Sequence, residues 1–250
     1  MNSTLSAFRR RLWVPPRRFD DRKPEMVDMP DADPVLLRGE LRNLRIINRY
    51  LGGLTAVHRA LIPMVMSTRP GHTVQLLDLA TGSGDQSVAI ARIFRRLGRH
   101  VFITAVDNND TILADARDHA AGFDEIRFEH GDIRALTYPD RSFDIVLCSL
   151  AIHHFSWTAA VRLLQDMDRI CRIGFILNDL SRSYVALACA WLYTRTTTTN
   201  IMTRTDAITS LFAAFTKEEL ARMAHDACVG PLEISRAPFF RLNAVKRKEK

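Results

Sequence analysis

Two hydrophobic patterns alternate along this chain. Apolar runs of seven or eight residues, rich in Val, Ile, Leu and Phe, recur over 73–79, 100–107, 142–149 and 172–178, with a shorter alternating stretch over 125–130. Runs of that length predict strands of a buried sheet. Between them, apolar residues three and four apart predict helices over 84–97, 109–121 and 157–170. Strand–helix alternation predicts a parallel sheet with right-handed crossovers. Upstream, Asp33-Pro34 suits a helix start, the acid as cap and the proline in the first turn. Leu37, Leu41, Leu44 and Leu51 then keep helical spacing up to a stop at Gly52-Gly53, and a second helix covers about 54–67. Both helices are expected to cover the ligand edge of the sheet. Downstream come apolar helical stretches around 182–194 and 205–214, a capping box at Thr216-Lys217-Glu218-Glu219, and two strands, about 231–237 and 239–246, flanking Pro238.

The first strand carries the strongest chemical signal. It runs Val74-Gln75-Leu76-Leu77-Asp78-Leu79, breaks into Ala80-Thr81-Gly82-Ser83-Gly84, and turns helical at Asp85. Glycines let a backbone approach a ligand where a Cβ would intrude, and the free N–H groups of the helix start point at the same spot. The second run ends on Asp107, placed to accept hydrogen bonds from the ribose hydroxyls of an adenosine. The third leads into Gly131-Asp132, where the acid can accept from an adenine amino group. The fourth ends at Ser149-Leu150. Each acid also reads as a helix cap or loop residue, but acids at the ends of three successive strands point to a small adenosine-bearing ligand. Ser87 occupies the position where the dinucleotide fingerprint wants Gly or Ala, which argues against a nicotinamide or flavin enzyme.

Strand–Asp–x–x–x–Gly–x–Gly, strand–Asp, strand–Gly–Asp and Ser142-Phe143-Asp144-x-Val146, in that order, resemble the class I S-adenosylmethionine-dependent methyltransferases over about residues 72–180. The resemblance implies an α/β, Rossmann-like doubly wound sheet of seven mostly parallel strands, with an antiparallel C-terminal hairpin and an N-terminal helical cover. It implies S-adenosyl-L-methionine as cofactor. Asp78, Gly82 and Gly84 would hold the methionine end and ribose side, with Ala80 in the turn where the family often has glycine. Asp107 would take the ribose hydroxyls, Asp132 the adenine, and Asn108 and Ile133 would flank them, with Ser149 at the fourth strand's end. Arg49 could meet the cofactor's carboxylate and Tyr50 lid the site, although a surface arginine and a core tyrosine are equally ordinary. The expected organisation is a basic Pro-rich arm over 1–33 and one methyltransferase domain over 34–250. Within that domain, 34–70 are N-terminal helices, 72–180 the cofactor core, 181–215 a helical substrate cover and 216–250 a closing helix and hairpin.

Methyl transfer from a sulfonium asks the protein to orient two partners, and needs a base only if the acceptor must lose a proton. His153 and His154, in the loop after the fourth strand, are the candidates; either one can instead pack or cap the next helix. Adjacent histidines rarely chelate one ion, and no third ligand is evident in the sequence. Asn178 and Asp179 end the fifth strand. Metal-dependent catechol methyltransferases use such a pair with an acid after strand four, but Ser149 or Leu150 stands there, so no metal is expected and the pair reads as substrate-facing. The stretch with Trp191, Tyr193, Phe212 and Phe215 implies a small apolar or aromatic acceptor: a phenol, enol, quinol or polyketide-like molecule, methylated on oxygen or carbon. The turn Asn178-Asp179-Leu180-Ser181-Arg182 resembles bacterial enzymes of polyketide, quinone and phenolic-lipid pathways. The alternatives are a tRNA or rRNA methyltransferase, whose usual Asp/Asn-Pro-Pro-aromatic motif is missing after strand four, and a phospholipid N-methyltransferase.

Composition narrows the setting. The chain has 250 residues and a net charge of +7. Much of that excess lies at the ends, in Arg9, Arg10, Arg11, Arg17, Arg18, Arg22 and Lys23, then Lys246, Arg247, Lys248 and Lys250. Such arms suit weak contact with a membrane surface or an acidic carrier protein, or are simply solvated. Phe8-Arg9-Arg10-Arg11-Leu12-Trp13 interleaves aromatics with cations. No apolar segment reaches the roughly 18 residues of a membrane span. Four scattered cysteines, with no C-x-x-C pair, suit a reducing cytoplasm.

Overall fold

The structure, a computed structural model, describes residues 13–29 and 31–248; the arm's first twelve residues and Lys250 lie outside the described residues. Seven strands form one sheet in the order β3-β2-β1-β4-β5-β7-β6. They are β1 Thr73–Leu79, β2 His100–Asp107, β3 Ile126–His130, β4 Phe143–Ser149, β5 Cys171–Leu180, β6 Glu233–Ala237 and β7 Arg241–Arg247. The first five pair in parallel. β7 inserts antiparallel between β5 and β6, so it alone runs against the rest.

The helices are α1 Pro34–Tyr50, α2 Gly53–Met66, α3 Asp85–Arg96, α4 Asp110–His119, α5 Trp157–Ile170, α6 Tyr184–Thr197, α7 Ile201–Ala213 and α8 Lys217–Asp226. Side chains alternate across each strand, so the sheet buries two separate faces. Val74 and Leu76 pack with Leu61, Met64, Ile90 and Phe94 of α2 and α3. Leu77 and Leu79 pack with Leu163, Leu164, Met167, Leu220 and Met223 of α5 and α8.

Local chemistry sets the helix starts. Asp33 accepts from the N–H groups of Val35 and Leu36, and the capping box at Thr216 closes from both sides. Three expectations shift. Only α1 lies over the strand C-termini, where Leu37 and Leu41 pack with Ile112 of α4 and Met202 of α7. α2 instead supplies one layer of the sandwich, because its wide apolar face has sheet to cover. α7 begins at Ile201 rather than 205, since Asn200 caps it by accepting from Met202 and Thr203 N–H. β5 runs on to Leu180, because β7 pairs with it as far as Arg241; Asn178 and Asp179 are therefore strand residues on opposite faces, not turn residues.

A strap precedes α1. Residues 15–29 cross the strand C-termini, where Arg182 Nε donates to Pro15 O at 2.8 Å and Arg17 Nε to Ala213 O at 2.6 Å. Met26 and Val27 N–H both donate to the Asp206 carboxylate of α7, each at 3.0 Å.

Candidate functional site

Strand order reverses between β1 and β4, which opens a crevice beyond their C-terminal ends, the usual ligand position in an open α/β sheet. The glycine turn stands at that crevice. Gly82 has φ +54° and nothing within 4 Å of where a Cβ would be, so its outer side is open space. Gly84 is different: a Cβ there would lie 3.1 Å from the Phe128 ring. One glycine keeps a ligand space free and the other allows close packing against β3. Ala80 also has φ +53°, a left-handed conformation that disfavours a side chain.

Asp78 lies beneath the turn, 1% exposed. It accepts from Thr81 Oγ1 at 2.8 Å and Ser87 Oγ at 2.6 Å, and burial pushes its carboxyl up to about 6. The acid expected to touch the methionine end thus holds the turn in shape from below, and Ser87, seen in the sequence only as a departure from a dinucleotide fingerprint, is one of its partners. Asp107 does reach the turn: its Oδ2 accepts from Gly82 N–H at 2.9 Å and its Oδ1 from Asn109 N–H at 3.2 Å. Burial raises its pKa, while those N–H bonds work against the rise. Asn108 and Asp132 are exposed beside it, with Asp132 accepting from Arg134 N–H. Ile133 is buried with Leu79, Val106, Ala151 and Ile152, and Ala80 packs on that cluster. The open cradle at Gly82, flanked by Asp107, fits an adenosyl group.

Two polar clusters flank the crevice, one on each face of the sheet. On the side of α5, His153 Nδ1–H donates to Asp179 Oδ1 at 2.7 Å. The other oxygen of Asp179 accepts from His153 N–H at 3.2 Å, and Leu180 N–H donates to Oδ1 at 2.6 Å. Burial opposes ionisation of Asp179, but the His153 ring beside it keeps its pKa below the ordinary range. An ionised Asp179 fixes the proton on Nδ1 and leaves Nε2 as an acceptor. Nε2 faces Glu25 Oε1 of the strap at 3.7 Å, beyond hydrogen-bond reach. Glu25 accepts from Ser210 Oγ at 2.6 Å, and burial pushes it up to about 7. His154 stacks on His153 at 4.1 Å between ring centroids and pairs with Asp28 of the strap at 3.1 Å.

On the side of α2 and α3, Arg241 is 2% exposed. It donates to Asn178 Oδ1 at 3.1 Å and Asn48 Oδ1 at 2.7 Å. Asn48 Nδ2 passes the chain on to Asp85 at 3.0 Å, and Ser149 Oγ donates weakly to Asn178 at 3.4 Å. Burial lowers Arg241 to about 10. Its partners on these bonds are neutral amides.

The remaining expected site residues differ in burial. Arg49 is exposed, with its guanidinium 5.4 Å from the Tyr50 ring, and Tyr50 is 64% exposed. α1 turns Asn48 inward instead. Trp191 is 52% exposed on α6, with the Arg195 guanidinium 5.3 Å from its ring. Asn178 is fully buried in the Arg241 network, so it does not face a substrate. Glu25, Ser210, Asn48, Asp85 and Arg241 escaped the sequence reading. Glu25 also gives the histidine pair a third neighbour: atoms of Glu25, His153 and His154 lie within 4.8 Å of one another. The Nδ1 atoms of the two rings are engaged by other acids, His153 by Asp179 at 2.7 Å and His154 by Asp28 at 3.1 Å.

The sheet order and the open glycine turn resemble those of the class I methyltransferases. The sequence pattern of the methyltransferase domain matches residues 76–174. The ubiquinone/menaquinone biosynthesis C-methyltransferase of Xanthomonas campestris pv. campestris is 30% identical over 161 residues, 59% of either chain. The demethylmenaquinone methyltransferase of Thermotoga maritima is 30% identical over 129 residues, 51% of either chain. Among solved structures, a plantazolicin methyltransferase in complex with SAH superposes with a TM-score of 0.65 over 90% of this chain and 93% of that one, at 13% identity. A methyltransferase domain thus covers residues 76–174, within a fold shared with solved methyltransferases, and the chain spans between half and three fifths of these curated relatives' length.

Proposed function

We infer that this protein transfers a methyl group from S-adenosylmethionine to a small aromatic or enolic acceptor, with His153 as the base. The observation that carries this reading is the Asp179–His153 pair beside the glycine turn. Gly82, Asp107, Asp132 and Ile133 are the residues that would hold the cofactor, which supplies an electrophilic methyl when bound. Asp179 fixes the tautomer of His153 and stabilises the imidazolium that forms when Nε2 takes the acceptor's proton. α1 and the strap lie over the strand C-termini, where keeping water from the bound reactants matters because hydroxide and water compete for an electrophilic carbon. Since Glu25 faces Nε2, an acceptor hydroxyl must enter between them or shift the strap.

The relatives are by name a ubiquinone/menaquinone biosynthesis C-methyltransferase and a demethylmenaquinone methyltransferase, and a quinol fits the same site: removing one phenolic proton makes the ortho carbon nucleophilic. The test is transfer of label from methyl-labelled S-adenosylmethionine to a panel of phenols and demethylquinols. The reading predicts labelled product extracted into organic solvent, lost in His153→Ala. Label that moves only to added RNA or phospholipid headgroups would overturn it.

A further inference from the structure

α6 is apolar on every side. From Tyr184 to Tyr193 it carries no charged residue, and a helix of that kind is normally buried. Here Tyr184 is 47% exposed, Val185 45%, Trp191 52% and Leu192 58%. Their spacing of seven stacks them on one face over two turns. The opposite side, with Ala186 and Leu187, packs against Leu211 of α7. Ile201, at the start of α7, is 53% exposed. Trp13 is 63% exposed and stands two residues before Pro15, whose carbonyl is held by Arg182 at the root of α6.

The exposed charged residues of α6 and of residues 13–19 are both cations, Arg195 and Arg18; Arg182, at the root of α6, is buried and paired with Glu219. Arg195 is exposed, 5.3 Å from the Trp191 ring, and Arg204 donates to its carbonyl. Arg18 lies 4.4 Å over Phe212. Tryptophan and tyrosine rings favour the membrane–water boundary, and arginines beside them suit phosphate oxygens. A second copy suits the face poorly, because a twofold interface presents the same patch on both sides and brings like cations together.

We propose that the outer face of α6, with Trp13 and Ile201, docks on an anionic lipid surface. α6 begins four residues after β5 ends, so docking sets the crevice edge that holds His153 against the lipid. The proposal rests on this surface alone and not on methyl transfer.

Co-sedimentation of the full chain with phosphatidylcholine vesicles, with and without phosphatidylglycerol, tests it. The wild type is expected to pellet with the anionic vesicles and about tenfold less with the zwitterionic ones, an electrostatic preference that salt weakens. Trp191→Asp with Leu192→Asp should lower binding tenfold or more, while the melting temperature and S-adenosylhomocysteine titration stay at wild type. Arg195→Ala should narrow the preference for anionic lipid. A wild type that stays in the supernatant with anionic vesicles at low salt overturns the proposal. So does equal binding to both vesicle types, or a concentration-dependent dimer that Leu192→Asp dissolves.

Discussion

Gly82 and Gly84 stand two residues apart with similar backbones, φ +54° and +70°, yet replacing each by alanine should fail in a different way. A left-handed conformation costs an L residue about 1–2 kcal/mol, offset by about 0.4–1 kcal/mol as the unfolded chain stiffens. At Gly82 that leaves a net loss of about 1 kcal/mol, because no atom lies within 4 Å of the new methyl. At Gly84 the methyl meets the Phe128 ring at 3.1 and 3.2 Å and Ala116 at 3.4 Å. Overpacking of that kind adds about 1–3 kcal/mol, for a total of about 2–4 kcal/mol. Ligand affinity should show the reverse order. The Gly82→Ala methyl projects into the space assigned to the cofactor and should weaken S-adenosylhomocysteine tenfold or more. Urea unfolding and calorimetry on the same preparations give both numbers. The reasoning fails if Gly84→Ala is as stable as wild type, or if Gly82→Ala binds the ligand with undiminished affinity.

Four further outcomes follow from the same geometry. Asp179→Asn should cut turnover about 10²–10⁴-fold by freeing the His153 tautomer, with S-adenosylhomocysteine affinity unchanged; equal turnover by the variant would remove Asp179 from the mechanism. Glu25 is raised from 4.5 to about 7, so its neutral form favours folding, fully below about pH 4.5 and lost as pH rises through about 7. The stability advantage of Glu25→Gln over wild type should therefore grow across that window in urea titrations, and a pH-independent difference would refute the burial argument. Ala80→Gly should gain about 0.5–1 kcal/mol by relieving the φ of +53°, read as a higher urea midpoint; a lower midpoint would contradict it. Prolonged EDTA treatment should leave turnover unchanged, whereas loss restored by zinc would make Glu25, His153 and His154 a metal site.

The sheet was legible because each buried strand is a short apolar run ending on a polar residue, and Asp107 and Gly82 could be named because both belong to that punctuation. The polar clusters were less legible because they join residues far apart in sequence. Arg241 meets Asn48 across 193 positions, and no local pattern reports that. A signal did exist in α1. Leu37, Leu41 and Leu44 define an inward stripe whose next member is Asn48, one residue before the Arg49 and Tyr50 that were singled out. Strand alternation similarly separates Asn178 from Asp179: adjacent in sequence, they serve opposite faces of the sheet. Glu25 sits in a segment with no period, so only the folded strap brings it to His153.

Titration calorimetry with S-adenosylhomocysteine on the wild type and Asp107→Ala bears most directly on the account. Binding in the micromolar range is expected, about −8 kcal/mol. Asp107→Ala should weaken it by about 1–3 kcal/mol through lost charge-assisted bonds, with NADH silent in both proteins. Tight NADH binding with no response to S-adenosylhomocysteine would contradict the account at its root.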